Sequence, residues 1–370
     1  MSKFWKEAAM ARDLFRRLLG ILAAGCWLSA GAYAEPAPLT VKPDAGTTVP
    51  ELFARGEVDI AVVRFLNTGD VFQEWMFGVQ DEAKRLGVNL TVYNADGDSA
   101  KMALHLNHAV AANPDAILIN SGFGESLASG LDAAKNAGIP VVTSNSSVEA
   151  SDHVTNVNQS ERMMMRGILD RFKDDMGGGE VFGNVIYVYV SGYRALDIRN
   201  GVWEQFLKDN PGIRQVAQIG VVNANTAAQT ADQAKAALLA NRDTIAVIAP
   251  FDEFAKGATT AILELELVDQ VKVYGMDIST ADIAVMIAEN SPWVATATTD
   301  MRNLGRVSIR VAAGEVADSY DGNHLLISPR VITQDQLRAA GIRNIDQLDE
   351  LFPELATPDL AKAPWMYSAD

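Results

Sequence analysis

Residues 113–147 read NPDAILINSGFGESLASGLDAAKNAGIPVVTSNSS. A short apolar run at 116–119 leads through a glycine-punctuated turn into a segment with Leu127, Leu131 and Ala134 on one stripe. Gly138 and a second apolar run at 141–143 follow. Short, fully apolar runs alternating with amphipathic helices mark buried parallel strands. A crossover helix makes neighbouring strands parallel and right-handed, so both end at the same edge of the sheet. Each run here ends in small polar residues, Asn120 and Ser121 after the first, Ser144, Asn145, Ser146 and Ser147 after the second. Ligands of open α/β sheets bind beyond the carboxyl ends of the strands. Uncharged donors and acceptors at that edge suit a neutral, hydroxyl-rich molecule, although Ser and Asn are also ordinary turn formers.

The chain has 370 residues, 48% of them hydrophobic, enough for two domains with packed cores. Residues 1–34 read as a cleaved export signal. Lys3, Lys6, Arg12, Arg16 and Arg17 precede an apolar run at 18–28, and Ala32-Tyr33-Ala34 offers small-x-small cleavage before Glu35. Gly25-Cys26 makes a poor lipobox and Arg16-Arg17 a thin twin-arginine hint, which leaves the export route open. Removing five basic and two acidic residues takes the net charge from −16 to −19. Such a surface repels nucleic acid and anionic lipid. Cys26 is the single cysteine, so the mature chain has neither disulfide nor thiol chemistry.

Residues 35–56, with four prolines up to Pro50, read as a flexible lead-in. Alternating strands and helices begin at Ile60 and continue through a fifth strand at 154–157. The series restarts after Gly177-Gly178-Gly179, from 185 to 296, with a strand expected at 216–222. The simplest architecture is therefore α/β, with two similar lobes. A helix at 301–314 and a short strand at 325–327 follow, and the proline-punctuated tail predicts one or two short surface helices.

No G-x-G-x-x-G, Walker A or G-x-S-x-G motif occurs, so dinucleotide, nucleotide-triphosphate and serine-hydrolase chemistry lack support and no cofactor is expected. His105 and His108 stand three apart on a helix, but no carboxylate or cysteine set accompanies them, and no metal site is expected. Asp252, Asp277 and Asp300 each follow a strand of the second series. Ionised carboxylates make strong hydrogen bonds to sugar hydroxyls, and aromatic faces cover the C–H surface of a ring. Among Phe72, Trp75, Phe123, Tyr193, Trp203 and Phe251, ligand contact is expected only for Phe72 and Phe251, which lie near loop-helix junctions. Arg199 can reach the cleft or pair with a surface carboxylate.

The succession IAVV, DEAKRLGVNL, NPDAILIN, AKNAGIPVVTSN, FDEFAKGA, VYGMD and VATATTD resembles the type I periplasmic sugar-binding proteins of the ribose and galactose branch, over residues 57–332. The resemblance implies two Rossmann-like lobes with parallel sheets joined by a three-segment hinge. The N-terminal lobe is then 57–157 plus 300–326, the C-terminal lobe 158–299 plus 327–334, and 335–370 an extension outside the pattern. It implies Phe72 as ring stacker, Asn67 or Asp70 as loop contact, and Asn120 and Asn145 as hydroxyl ligands. Arg199 would hold hydroxyls and the ring oxygen, and Asp252, Asp277 and Thr299 or Asp300 would complete the site. Departures stand beside these: Asn145-Ser146 replaces a usual Asp-Arg, Phe251-Asp252 an Asn-Asp, and Met276 an aromatic. A different pentose, a deoxy sugar, a sugar alcohol or a furanose therefore fits as well as ribose or galactose.

The function so implied is a monomeric periplasmic protein that closes on a neutral monosaccharide or sugar alcohol and delivers it to the permease of an ABC importer. Presentation of the closed form to a chemoreceptor is an alternative. A transcriptional-regulator core would carry a helix-turn-helix and a basic face, where this chain carries an export signal and an acidic one. A sugar-modifying enzyme would use the aspartates as acid and base.

Overall fold

The computed structural model describes residues 37–367; the predicted export signal lies outside them. In chain order the elements are β1 (Thr40–Val41), α1 (Glu51–Arg55), β2 (Asp59–Arg64), α2 (Asp70–Leu86), β3 (Asn89–Asn94), α3 (Ser99–Ala111), β4 (Ala116–Asn120), α4 (Gly124–Ala137), β5 (Val141–Ser144) and β6 (Val154–Gln159). The second series is α5 (Glu161–Asp175), β7 (Gly183–Val188), α6 (Arg194–Asp209), β8 (Ile213–Ile219), α7 (Thr226–Ala240), β9 (Thr244–Ala249), α8 (Asp252–Glu264), β10 (Lys272–Met276), α9 (Thr280–Ile287) and β11 (Trp293–Thr298). The chain closes with α10 (Met301–Val316), β12 (Tyr320–Asp321), β13 (His324–Ile327), β14 (Arg330–Thr333), α11 (Gln334–Ala340) and α12 (Leu348–Leu351).

Two six-stranded sheets result. One has the order β13-β6-β5-β4-β2-β3 and is wholly parallel, and the other has the order β14-β11-β10-β9-β7-β8, with only β14 antiparallel. The central strands are buried on both faces because they carry unbroken apolar runs: Ile117, Leu118 and Ile119 in β4, Ala246, Val247 and Ile248 in β9. The chain passes between the sheets at Ser160, at Thr299 and Asp300, and at residues 328–329. The first passage follows directly on β6, which keeps pairing to Gln159.

In the first lobe α2 packs on α10 through Gly78 and Gly305; a Cβ on Gly78 would meet the Arg302 carbonyl, and one on Gly305 the Trp75 carbonyl. That close approach fixes the first turn of α10, and with it the hinge residues just before it.

Two expectations are corrected. The lead-in is built into the fold from residue 38 onward: β1 pairs with β12, and Leu39 and Phe53 join the core of the first lobe. The strand expected at 216–222 is β8 at Ile213–Ile219, an edge strand whose Arg214, Gln215 and Gln218 break the apolar run. Val221 and Val222 belong to the loop beyond it.

Candidate functional site

The cleft between the lobes holds a cavity lined by residues of both lobes. Three residues on its wall, Ser121, Asn145 and Asp277, follow β4, β5 and β10 with φ of 62°, 54° and 67°. Left-handed backbone at non-glycine residues costs free energy and gathers where side chains must be aimed. Here it sits at three strand ends that border one cavity.

The polar groups are concentrated beside the hinge. Arg199 on α6 is 2% exposed; its Nε donates to Glu161 Oε2 at 2.6 Å and its Nη1 to the Pro250 carbonyl at 2.6 Å and to Asp277 Oδ2 at 3.3 Å. Gln159 Nε2 donates to Asp277 Oδ1 at 3.3 Å, and Thr299 Oγ1 donates to Gln159 Oε1 at 2.8 Å. Gln159 precedes the first interlobe passage and Thr299 lies in the second, so this chain of bonds ties the cavity floor to the hinge. Burial alone would lower the Arg199 pKa, but the carboxylates of Glu161 and Asp277 raise it, and the guanidinium stays charged. Burial pushes the Glu161 carboxyl up, with Arg199 opposing. A fixed guanidinium and carboxylate side by side present donors and acceptors together, which vicinal hydroxyls require.

The remaining walls are mainly apolar, with Arg194 beside Tyr193 as their charged member. Phe72 faces Phe251 across the lobes with ring centroids 6.2 Å apart, and Phe123 faces Tyr193 at 5.6 Å, edge to face. Leu66, Phe123 and Tyr193 pack on one apolar cluster, and Leu196, Val222 and Met301 complete the lining. Phe123, Tyr193 and Phe251 share a position: each is the extended residue just before a helix, α4, α6 and α8, and none makes a side-chain capping bond. Ser, Thr, Asp or Asn normally stand there, and losing such a cap costs about 1 kcal/mol. At these three helix starts the capping bond is exchanged for cavity wall.

Of the residues singled out from sequence, Phe72, Asn145, Arg199, Phe251 and Asp277 line the cavity. Thr299 is buried behind it and bonded to Gln159. Four others are turned elsewhere. Asp300 caps α10, accepting from the backbone N–H of Arg302 at 2.8 Å and of Asn303 at 3.1 Å. Asp70 meets Lys256 of the opposite lobe at 2.8 Å. Asp252 is wholly buried, its carboxylate 4.0 Å from Lys256 Nζ, and burial followed by the neighbouring Asp282 raises its pKa. The Asn67 side chain bonds Asp96, and its backbone carbonyl accepts from Gln73. Asn120 is buried at the end of β4, off the cavity lining, with no protein hydrogen-bond partner for its amide.

Among the described residues Asp70, Asp252 and Glu253 are the carboxylates close enough to share a metal ion, each offering an oxygen within 4.8 Å of the others. The ammonium of Lys256 pairs with all three. His105 and His108 are outside that group, their rings 6.3 Å apart.

The sequence reading missed Gln159, Tyr193, Phe123 and Val222 as cavity residues and Glu161 as the partner of Arg199. An aromatic directly before a helix start was the available signal for Phe123 and Tyr193. Trp75 and Trp203 are core, as expected.

Comparison with known proteins agrees with this architecture. The periplasmic binding protein domain family matches residues 60–318. The crystal structure of a 5-methylthioribose transporter solute-binding protein from Thermotoga lettingae, in complex with 5-methylthioribose, is 36% identical, with a TM-score of 0.82 over 86% of this chain and 98% of that one. A sugar ABC transporter structure from Yersinia enterocolitica is 25% identical, with a TM-score of 0.81 over 88% of this chain and 97% of that one. The ribose import binding protein RbsB of Bacillus subtilis is 31% identical over 72 residues, which span 20% of this chain and 24% of that protein. With two doubly wound lobes, a hinge of chain passages and a polar-floored cleft between them, the chain belongs to the family of periplasmic binding protein domains.

Proposed function

We propose that this protein captures, in the periplasm, a small neutral sugar with one apolar end, of the alkylthio- or deoxy-pentose type, and delivers it to the permease of an ABC importer. The carrying observation is the division of the cleft: Asn145, Gln159, Arg199 and Asp277 gather polar groups at the hinge side, while Phe123, Tyr193, Leu66 and Val222 leave an apolar wall. A plain pentose or hexose is hydroxylated all round and would press hydroxyls against that wall, each buried without a partner at a cost of about 1–3 kcal/mol. A methylthio or methyl substituent would instead gain about 0.8 kcal/mol per buried carbon. The Thermotoga lettingae relative holds 5-methylthioribose, a ligand with both halves. Lobes that both touch the sugar make the closed state the bound state, and closure is the signal read by the permease.

Isothermal titration of the mature chain with ribose, 5-deoxyribose, 5-methylthioribose and ribitol tests the reading. Affinity rising from ribose through 5-deoxyribose to 5-methylthioribose is the expected order. A sub-micromolar ligand at millimolar concentration also stabilises the fold by about 4 kcal/mol in a thermal scan. Equal or better binding of ribose or ribitol overturns the apolar end, and silence across the series overturns the sugar.

A further inference from the structure

We infer that residues 345–357 form a strap, a fourth crossing between the lobes that limits how far, and along which direction, the cleft opens. The tail does more than lie on the surface, as its sequence suggests. Leu337, Ile342, Ile345, Leu348 and Leu355 are buried in the core of the second lobe, whereas Ala361, Ala363, Trp365 and Met366 are buried in the core of the first. Trp365 lies against Phe53 with centroids 4.6 Å apart and donates to Ser319 Oγ at 2.9 Å; the Arg310 guanidinium donates to the Pro358 and Leu360 carbonyls at 3.0 and 3.2 Å. Both ends are therefore anchored, one in each lobe.

Between the anchors the strap has almost no slack. Ile345 N–H donates to Thr280 Oγ1 of the second lobe at 3.2 Å, while the next residue, Asp346, pairs with Arg302 of the first. Leu355 has its side chain in the second lobe and its carbonyl bonded to Asn303 Nδ2 of the first at 3.1 Å; Asn303 also donates to Thr357. Two residues span at most about 7 Å of chain. Both stitches fall on the first turn of α10, beside the hinge passage at Thr299 and Asp300. Opening that swings α9 and α11 away from α10 must break them, whereas rotation about an axis through this turn leaves them intact. The strap thus converts a loose joint into a guided one.

Spin labels at Glu125→Cys and Ala224→Cys, exposed positions on opposite lobes beside the cavity-lining Gly122–Phe123 and Val222, report opening without ligand. The predicted mature chain has no competing cysteine. A flexible insertion of about six Gly and Ser residues after Ala356 keeps every anchor and adds on the order of 10 Å of slack. The expected result is a narrow distance distribution in the unaltered ligand-free chain and, with the insertion, an added component longer by about 5 Å or more. Asp346→Ala, which removes an exposed side chain and one stitch, shifts the distribution in the same direction by less. Distributions unchanged by the insertion overturn the strap. Should the insertion prevent folding, Asp346→Ala decides, and no change there overturns it.

Discussion

Tyr193 is the residue on which ligand choice should turn. It stands before α6 without a capping bond, faces Phe123 across the lobes, and shares an apolar cluster with Leu66. Replacing it by Ser restores a good cap and removes the wall, so fold stability should hold while the apolar subsite is lost. Tyr193→Ser is expected to weaken 5-methylthioribose by about tenfold or more, on the order of 1.5–3 kcal/mol of lost side-chain burial. Ribose binding should change less than threefold or so. Calorimetry of the two sugars on the variant separates this from general damage, which would weaken both. The same residue shows what sequence conveys: Asp277 was legible as a carboxylate directly after a strand, and Arg199, inside a helix, through the family resemblance. Tyr193 and Phe123 were not, since an aromatic beside a helix usually means core. Glu161 was invisible, because its partner lies 38 positions away and only the folded chain brings α5 beside α6.

At the scale of elements, three helix starts carry acids under tension between two effects. Asp252, Asp282 and Asp300 lie in the first turns, or at the cap, of α8, α9 and α10, where the helix dipole favours a negative charge. Burial wins over it: the Asp282 carboxyl is pushed up to about 7, that of Asp300 to about 6, and that of Asp252 upward as well. An unfolded Asp titrates near 3.9, so between about pH 4 and pH 6–7 the folded chain holds more protons than the unfolded one. Their stabilising effect is complete below that window and is lost as pH rises through the folded values. For Asp300 alone the loss is at most about 3 kcal/mol between pH 4 and pH 7. The melting temperature is therefore expected to be higher at pH 5 than at pH 7.5. Asp300→Asn, which keeps a capping acceptor, should narrow the gap, and a gap unchanged in that variant would assign the effect elsewhere. Asp252 and Asp300 read as ligand groups in the sequence because spacing after a strand is all it shows. The direction in which a side chain turns is set by the packing of α8 on α9 and of α10 on α2. Central strands and long helices were readable from periodicity alone, whereas β8 and the tail depend on neighbours that lie far away in sequence.

For the whole molecule the balance between open and closed lobes decides affinity, and one polar contact bears on it without touching the cavity. Lys256 of the second lobe pairs with Asp70 of the first at 2.8 Å, and already has Asp252, Glu253 and Asp282 of its own lobe around it. Opening separates Lys256 from Asp70 alone. The pair favours closure, but its worth is modest, because Asp70 is 41% exposed and Lys256 keeps three other carboxylates. A half-exposed ion pair contributes about 0.2–1 kcal/mol. Any contact made only in the closed state shifts the closed population by its full free energy, and apparent affinity follows that population. Asp70→Asn should therefore raise the Kd for the sugar by about twofold to fivefold. The increase should appear in the dissociation rate, since encounter occurs with the open form, and it should shrink at high salt as screening weakens the pair. Stopped-flow dissociation at about 0.05 and 0.5 M salt makes the comparison. A loss confined to the association rate, or one insensitive to salt, would place Asp70 at the ligand rather than at the seam between the lobes.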